Sequence, residues 1–247
     1  MSFENRDTLA QTGSAAGVAE VDAGLRAYML RVYNYMASGV ALTGIVAWLV
    51  ANTGLQNIFF NPTPAGMQPG MMAWAAMLGS IGMVFFLSFK VATMRASTAQ
   101  ALFWAYAALN GVWLSSIFLS YTDASIVRVF FITAASFAGL SLYGYTTRRN
   151  LDGLGSFMIM GLFGLVIGSL VNIFLGSTLM HWVLSAVGVV VFAGLTAYDT
   201  QKIKEMYAAS DGYDVASKKA VLGALSLYLD FINLFLMLLR FFGQSRD

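Results

Sequence analysis

The stretch at residues 220–243 reads AVLGALSLYLDFINLFLMLLRFFG, and a single carboxylate, Asp230, lies near its middle. The apolar run before it ends in GLTAYDTQKIK, which places a second carboxylate, Asp199, at its tail. Burying a charged side chain among apolar helices costs free energy unless the charge is protonated, paired or hydrated. The two aspartates therefore indicate a site with a role beyond filling a helical bundle.

The composition is that of a membrane protein. Hydrophobic residues make up 58% of the 247 positions and charged residues 11%, whereas ordinary soluble domains carry about 25% charged residues. The stretches 32–89 and 153–198 contain no Asp, Glu, Lys or Arg. Because so little polar surface cannot cover a soluble domain of this size, the sequence predicts an all-α polytopic membrane protein.

Seven apolar runs are long enough to cross a bilayer, which takes about 20 residues. They are 32–50, 71–89, 99–120, 126–145, 155–175, 182–199 and 220–243. We expect one seven-helix transmembrane domain over 28–247. The polar segment 1–27 has no apolar core of its own, so we expect it to be a disordered cytoplasmic tail. The loop NPTPAGMQPG after the first run holds all three prolines.

The loop charges predict the orientation of the chain in the membrane. Lys and Arg occur in the loops after the second, fourth and sixth runs, at Lys90, Arg95, Arg148, Arg149, Lys202, Lys204, Lys218 and Lys219. The loops after the first, third and fifth runs contain none. Since positively charged loops stay in the cytoplasm, we expect a cytoplasmic N-terminus and, after seven crossings, an external C-terminus.

Other site classes are disfavoured by the residues present. The chain has no cysteine, which excludes disulfides and thiolate metal sites. No basic patch with interleaved aromatic residues indicates a nucleic-acid partner, and no cofactor is implied. Small residues four apart, at Gly164 and Gly168 and at Ala135 and Gly139, predict close helix contacts within the bundle.

The two aspartates are expected to act together. A short connection joins their helices, so Asp199 and Asp230 should be neighbours, although Asp230 lies deeper unless the last helix begins in the cytoplasm. Two close carboxylates cannot both ionise cheaply, so they titrate as one unit. Asn233 follows Asp230 by one turn and is expected to line the same site. Lys90 and Arg95 are the basic candidates for a salt bridge to the pair, or else anchors at the membrane surface.

GLTAYDTQKIK followed by ALSLYLDFINLFLMLLRFFG resembles the paired C-terminal signature of the Bax inhibitor-1 family, and the similarity extends over the seven-span layout. The polar N-terminus resembles that of bacterial members, which are inner-membrane proteins. The resemblance implies six helices around a central C-terminal helix. It also implies a pH-sensitive calcium leak gated by an aspartate pair, which falls on Asp199 and Asp230 and binds calcium weakly and transiently. The family's basic latch aligns near Thr93, between Lys90 and Arg95.

Three functions compete at this point. One is the calcium leak channel, and another is a modulator of a second membrane protein, such as a membrane protease, in which the acidic pair is only a conformational switch. The third is an intramembrane aspartyl protease, because Tyr198 and Asp199 match its YD motif. Its GxGD motif is absent, since LYL precedes Asp230, and we expect no enzymatic activity. The expected partners are calcium ions, the lipid bilayer and, in the second case, another membrane protein.

Overall fold

The computed structural model describes the backbone of residues 4–64 and 66–246 and the side chains of residues 22–64 and 66–246. The elements are α1 (Glu4–Asn52), α2 (Gln56–Phe59), β1 (Phe60–Thr63), β2 (Gly66–Pro69), α3 (Met71–Lys90), α4 (Ala96–Ser120), α5 (Asp123–Thr146), α6 (Asp152–Leu175), α7 (Thr178–Glu205) and α8 (Tyr213–Phe242). Within this part of the chain, seven helices are long and apolar enough to cross a membrane. The predicted all-α, seven-span fold is confirmed.

The predicted tail at 1–27 falls largely on residues whose side chains lie outside the described part of the chain. Its cytoplasmic location and its disorder stay predictions. The helices that follow are longer than the apolar runs. In particular, α7 continues to Glu205 and α8 begins at Tyr213, seven residues before its apolar run. The charged residues of these extensions therefore lie at the helix ends, where charged side chains reach water.

The C-terminal helix α8 is the central helix of the bundle. In the most apolar segment of α8, 67% of the residues are buried, whereas only 11% are buried in the corresponding segment of α6. Helices α1, α4, α5 and α7 pack directly against α8, and α3 and α6 complete the ring by packing on α4 and α7. The outer helices present large apolar side chains, such as Phe163 and Phe174 of α6, on the surface, where they match the hydrocarbon of the bilayer.

Two glycines set the closest approaches of α7 to its neighbours. A Cβ atom on Gly144 of α5 would overlap the backbone of Ala197, and one on Gly155 of α6 would overlap the ring of Tyr198. Small residues at such points let membrane helices approach backbone to backbone. Both contacts lie within two residues of Asp199, so they fix the position of α7 where it carries that side chain.

The close helix contacts predicted from the spacing of small residues are confirmed at Gly168 and wrong at Gly139 and Gly164. Gly168 packs against Leu184 of α7, as expected, whereas Gly139 and Gly164 face open space. A pair of small residues marks a helix face that permits close approach. It does not decide whether another helix or lipid occupies that face.

The loops lie at two ends of the bundle. We call the end with the α3–α4, α5–α6 and α7–α8 loops the basic face, and the other end the opposite face. At the opposite face, the Thr122 amide donates to the Gln244 carbonyl (2.9 Å), and Arg246 pairs with Asp123 (2.7 Å). The chain end after α8 therefore lies against the α4–α5 turn, so α8 crosses the whole bundle.

The proline-containing loop forms a short antiparallel hairpin at the opposite face. Phe60 is paired with Pro69 and Thr63 with Gly66, whose φ is 101°. A two-stranded hairpin consists only of edge strands, which tolerate proline. Phe60 is buried with Val50 of α1, so the hairpin is anchored to the bundle.

We predict that the basic face is cytoplasmic. A reporter active only in the cytoplasm should be active when inserted into the α7–α8 loop, where the lysines of the basic face lie, and inactive in the β1–β2 hairpin. Fusions at both positions within the full chain provide the comparison. The reverse pattern would contradict the orientation read from the loop charges.

We predict that Gly144→Ala destabilises the bundle. The added methyl group meets the backbone of Ala197, and overpacking of this kind costs about 1–3 kcal/mol. The matched control is Gly139→Ala in the same helix, which faces open space and should gain up to about 1 kcal/mol of helix propensity. The thermal unfolding midpoint of the purified protein in detergent distinguishes them. Equal midpoints for the two variants would refute the role of the α5–α7 crossing.

Candidate functional site

Asp230 is a buried carboxylate in the central helix. It is 5% exposed, and its Oδ2 atom has no hydrogen-bond partner among the described residues. Leu227 and Leu234, about one turn before and after Asp230, are buried as well, and side chains at this spacing share one face of a helix. An unpaired buried carboxylate is among the most costly groups that a protein can hold, so its position calls for a functional explanation.

Asp199 is the acidic neighbour of Asp230. It is half-buried on α7, and the two carboxylates are close enough for their charges to interact. No histidine, cysteine or further acidic residue joins them to make a group of three within the described part of the chain. The structure thus brings the two predicted aspartates together as a pair.

The register of α7 against α8 explains how the two carboxylates meet. Ile203 packs against Gly223, and Met237 packs against Gly188. In this antiparallel arrangement residue 199 is opposite residue 226 or 227. Asp230 therefore lies about one turn, roughly 5 Å, deeper than Asp199. Because α8 starts well before its apolar run, the expected difference in depth is small enough for the two charges to interact.

The lysines of the basic face are paired elsewhere. Lys202 contacts Asp152 at 2.6 Å and Glu205 at 2.8 Å, and Lys219 contacts Asp211 at 2.6 Å. Neither member of the aspartate pair forms an ion pair with any described residue. No lysine or arginine of the described residues therefore forms an ion pair with the two aspartates.

The structure does not bring the two latch candidates to the aspartate pair. Lys90 and Arg95 are both exposed in the α3–α4 connection. The charge of Arg95 acts on Asp214 at the start of α8. The Asp214 carboxylate also accepts the Ala96 amide (3.0 Å) and pairs with Lys218 (3.0 Å). The Asp214 carboxylate links the start of α4 to α8 through the Ala96 amide, and the latch stays a prediction.

Asn233 lies on α8 but turns away from the pair. Its amide donates to the Leu229 carbonyl one turn earlier (2.8 Å). It lines a cavity of about 350 Å³ between α3, α4 and α8 together with Ser80 and Asn110, and Asp230 does not line this cavity. Although Asn233 and Asp230 are about one helical turn apart in the sequence, their side chains therefore do not lie in one site.

A chain of hydroxyl groups beside Asp199 was not anticipated from the sequence. The Tyr33 hydroxyl is 2.6 Å from that of Ser141, and Ser141 is 2.9 Å from the Thr200 hydroxyl. Thr200 in turn donates to the Thr196 carbonyl (2.7 Å). These hydrogen-bonded hydroxyl groups join α1, α5 and α7 at Thr200, the residue next to Asp199. Only the position of Thr200 beside an aspartate could have signalled it.

A second polar cluster was also missed, two residues before Asp230. The Tyr228 hydroxyl is 2.7 Å from the Thr43 hydroxyl and accepts the Asn110 amide at 2.9 Å. Thr43 also donates to the Ala107 carbonyl (2.8 Å). This cluster fixes α8 against α1 and α4. Polar bonds inside an apolar bundle position helices because no water competes for them.

The pair is separated from the opposite face by apolar side chains. Beyond Asp230, the buried residues of α8 are all apolar: Phe231, Ile232, Leu234, Phe235, Leu238 and Leu239. Chemically, two carboxylates without a protein cation can share a proton or attract a metal cation. Buried apolar residues beyond the pair prevent an ion from continuing through the bundle along α8 in this state.

Comparison with known proteins agrees with this architecture. The family described as "Inhibitor of apoptosis-promoting Bax1" matches residues 25–247. An uncharacterized protein of Rickettsia prowazekii is 48% identical over 92% of this chain and 93% of its own length. The inner membrane protein YbhL of Escherichia coli is 44% identical over 93% of this chain and 96% of its own. An uncharacterized membrane protein of Streptococcus pyogenes is 38% identical over 91% and 95%. The chain belongs to the Bax inhibitor-1 family of integral membrane proteins.

Proposed function

We propose that the protein is a pH-sensitive calcium leak channel of the bacterial inner membrane, gated by Asp199 and Asp230. The observation that carries the proposal is the burial of Asp230 without a hydrogen bond to its Oδ2 atom among the described residues, within reach of the charge of Asp199. A carboxylate kept in this way responds to protons and to divalent cations, because nothing in the described protein neutralises it.

Calcium suits the pair as a passing ion. Ca²⁺ takes six to eight oxygen ligands in storage sites, whereas this site offers two carboxylates, backbone carbonyls and water. Too few ligands means weak binding, and conduction requires an ion to leave as readily as it enters. Protonation removes the negative charge that attracts the cation, so calcium occupancy rises with pH as the pair loses its shared proton.

The proposal includes no enzymatic step. An aspartyl protease also uses two aspartates, but it requires a flexible glycine-containing segment before the second one. Here Leu227, Tyr228 and Leu229 precede Asp230, and Leu227 and Tyr228 are fully buried in the regular helix α8. The GxGD motif of such proteases is absent before Asp230, and the lack of enzymatic activity stays an expectation.

We predict that Asp199→Asn and Asp230→Asn each flatten the pH dependence of calcium flux. The amide keeps the shape of the carboxyl group but cannot titrate, and a pair that titrates as one unit loses its pH response when either member is replaced. For the same reason the double variant should add little to either single change. The measurement is calcium entry into liposomes containing the purified protein, across a pH series.

The matched control is Asp152→Asn, which changes an exposed carboxylate at the same face. This variant should keep the wild-type pH profile. Single variants at 199 and 230 that also keep it would reject the paired sensor. A wild-type protein that gives no flux above that of empty vesicles would instead support the alternative, in which the protein modulates another membrane protein such as a membrane protease.

We predict that Arg95 contacts the aspartate pair in a second state of the channel. Both lie toward the basic face, and opposite charges at one membrane surface attract. Exchanging the charges of Arg95 and Asp199 should then partly restore the flux lost in either single charge reversal. The same exchange between Arg95 and Asp214 is the comparison, because the charge of Arg95 already acts on Asp214. Strictly additive defects for Arg95 and Asp199 would reject Arg95 as the latch, and the same test applies to Lys90.

A further inference from the structure

A long groove runs along the outside of the bundle between α1 and α5. Its volume is about 720 Å³, within the range of small-molecule sites, and Phe231 of α8 forms its floor. Helix α1 packs on α4 and α8, while α5 packs on α7 and α8, which leaves a groove between α1 and α5 that is crossed by the hydrogen bond between the Tyr33 and Ser141 hydroxyls (2.6 Å). Leu30 and Leu142, which line it, are 53% and 62% exposed. The groove therefore opens laterally, toward the hydrocarbon of the bilayer.

The length of the groove matches one leaflet of the membrane. On α1 its lining extends from Arg26 to Ala41, and on α5 from Phe130 to Tyr145. Fifteen residues of helix correspond to about 22 Å, which is close to half of a bilayer with its headgroup region, about 20–22 Å. A chain entering at the basic face would thus extend from the headgroup level to about the bilayer centre. An extended acyl chain has this length and this apolar surface.

Positive charge is concentrated at the basic end of the groove. Arg26 lines that end, and Lys204 lies over the ring of Tyr145, 5.4 Å from its centroid, while donating to the Tyr145 carbonyl at 2.9 Å. No acidic side chain lines the groove among the described residues. Asp22, one turn before Arg26, forms no ion pair with it in the described part of the chain.

We propose that this groove binds an anionic phospholipid of the leaflet at the basic face, with one acyl chain between α1 and α5 and the phosphate group at Arg26 and Lys204. Basic pockets between helices at this depth suit anionic headgroups. A second copy of the chain fits less well. A two-fold contact through this groove would bring two Arg26 side chains toward one another, and like charges repel. The proposal does not depend on calcium transport.

Native mass spectrometry of the full chain in detergent tests the headgroup. Wild-type protein should retain one phosphatidylglycerol in preference to phosphatidylcholine with the same acyl chains. Arg26→Gln should weaken retention of phosphatidylglycerol about fivefold, the effect of one cation near a lipid surface. Arg128→Gln is the matched control. Arg128 is an exposed arginine near the start of α5, at the opposite face, so its substitution should leave lipid retention unchanged. Equal losses for the two variants, or equal retention of both lipids, would overturn the headgroup contact.

Two groove-filling variants test the acyl chain. Ala138→Leu and Ala37→Leu add bulk from opposite walls at exposed positions, so the fold should tolerate them, and unchanged thermal unfolding midpoints would verify this. Both should lower retention of phosphatidylglycerol and of phosphatidylcholine. Retention that falls with Arg26→Gln but not with either leucine would show surface attraction only and would reject the groove. Loss of a dimer signal in the leucine variants, with lipid retention unchanged, would assign the groove to a second copy and also reject the proposal.

Discussion

The packing of α7 against α8 is the interaction on which the candidate site depends. Gly223 and Gly188 allow Ile203 and Met237 to fit between the helices, so the two backbones approach closely over most of the bundle. This contact buries Asp230 and brings it within reach of the charge of Asp199. A buried carboxylate costs several kcal/mol, and the apolar contacts of α8 with four neighbouring helices offset that cost.

Both aspartates are held by rigid contacts close to them in sequence. Gly144 of α5 and Gly155 of α6 pack against Ala197 and Tyr198, the two α7 residues just before Asp199. Thr200, the residue just after Asp199, is hydrogen-bonded to Ser141. On α8, the Tyr228 hydroxyl is bonded to α1 and α4 two residues before Asp230. The frame thus fixes the positions of two carboxyl groups that form no ion pair with any described residue.

The lateral groove and the aspartate pair share parts of the bundle. Phe231, which forms the floor of the groove, follows Asp230 directly and stacks edge-on with Phe137 at 5.5 Å. Ser141 lines the groove and is bonded to Thr200, the neighbour of Asp199. Anything that widens the space between α1 and α5 therefore acts on side chains adjoining both carboxylates. Helix α5 thus contacts both the groove and residues adjoining the two aspartates.

Composition and hydropathy were enough to predict the class of protein and the seven spans, and to single out Asp199 and Asp230 as candidate site residues. Long uncharged apolar runs can be satisfied only in a membrane, and an aspartate inside such a run stands out without any structure. The neighbours of each polar side chain could be identified only from the folded structure. Asn233 and Asp230 are one turn apart, yet Asn233 lines another cavity. Arg95 lies near Asp214 rather than near the pair. Tyr33, Ser141 and Thr200 come together from three helices. The physical reason is that hydropathy records how far a residue prefers lipid to water, whereas neighbours depend on the rotation and the crossing points of helices, which are set by contacts between residues distant in the chain.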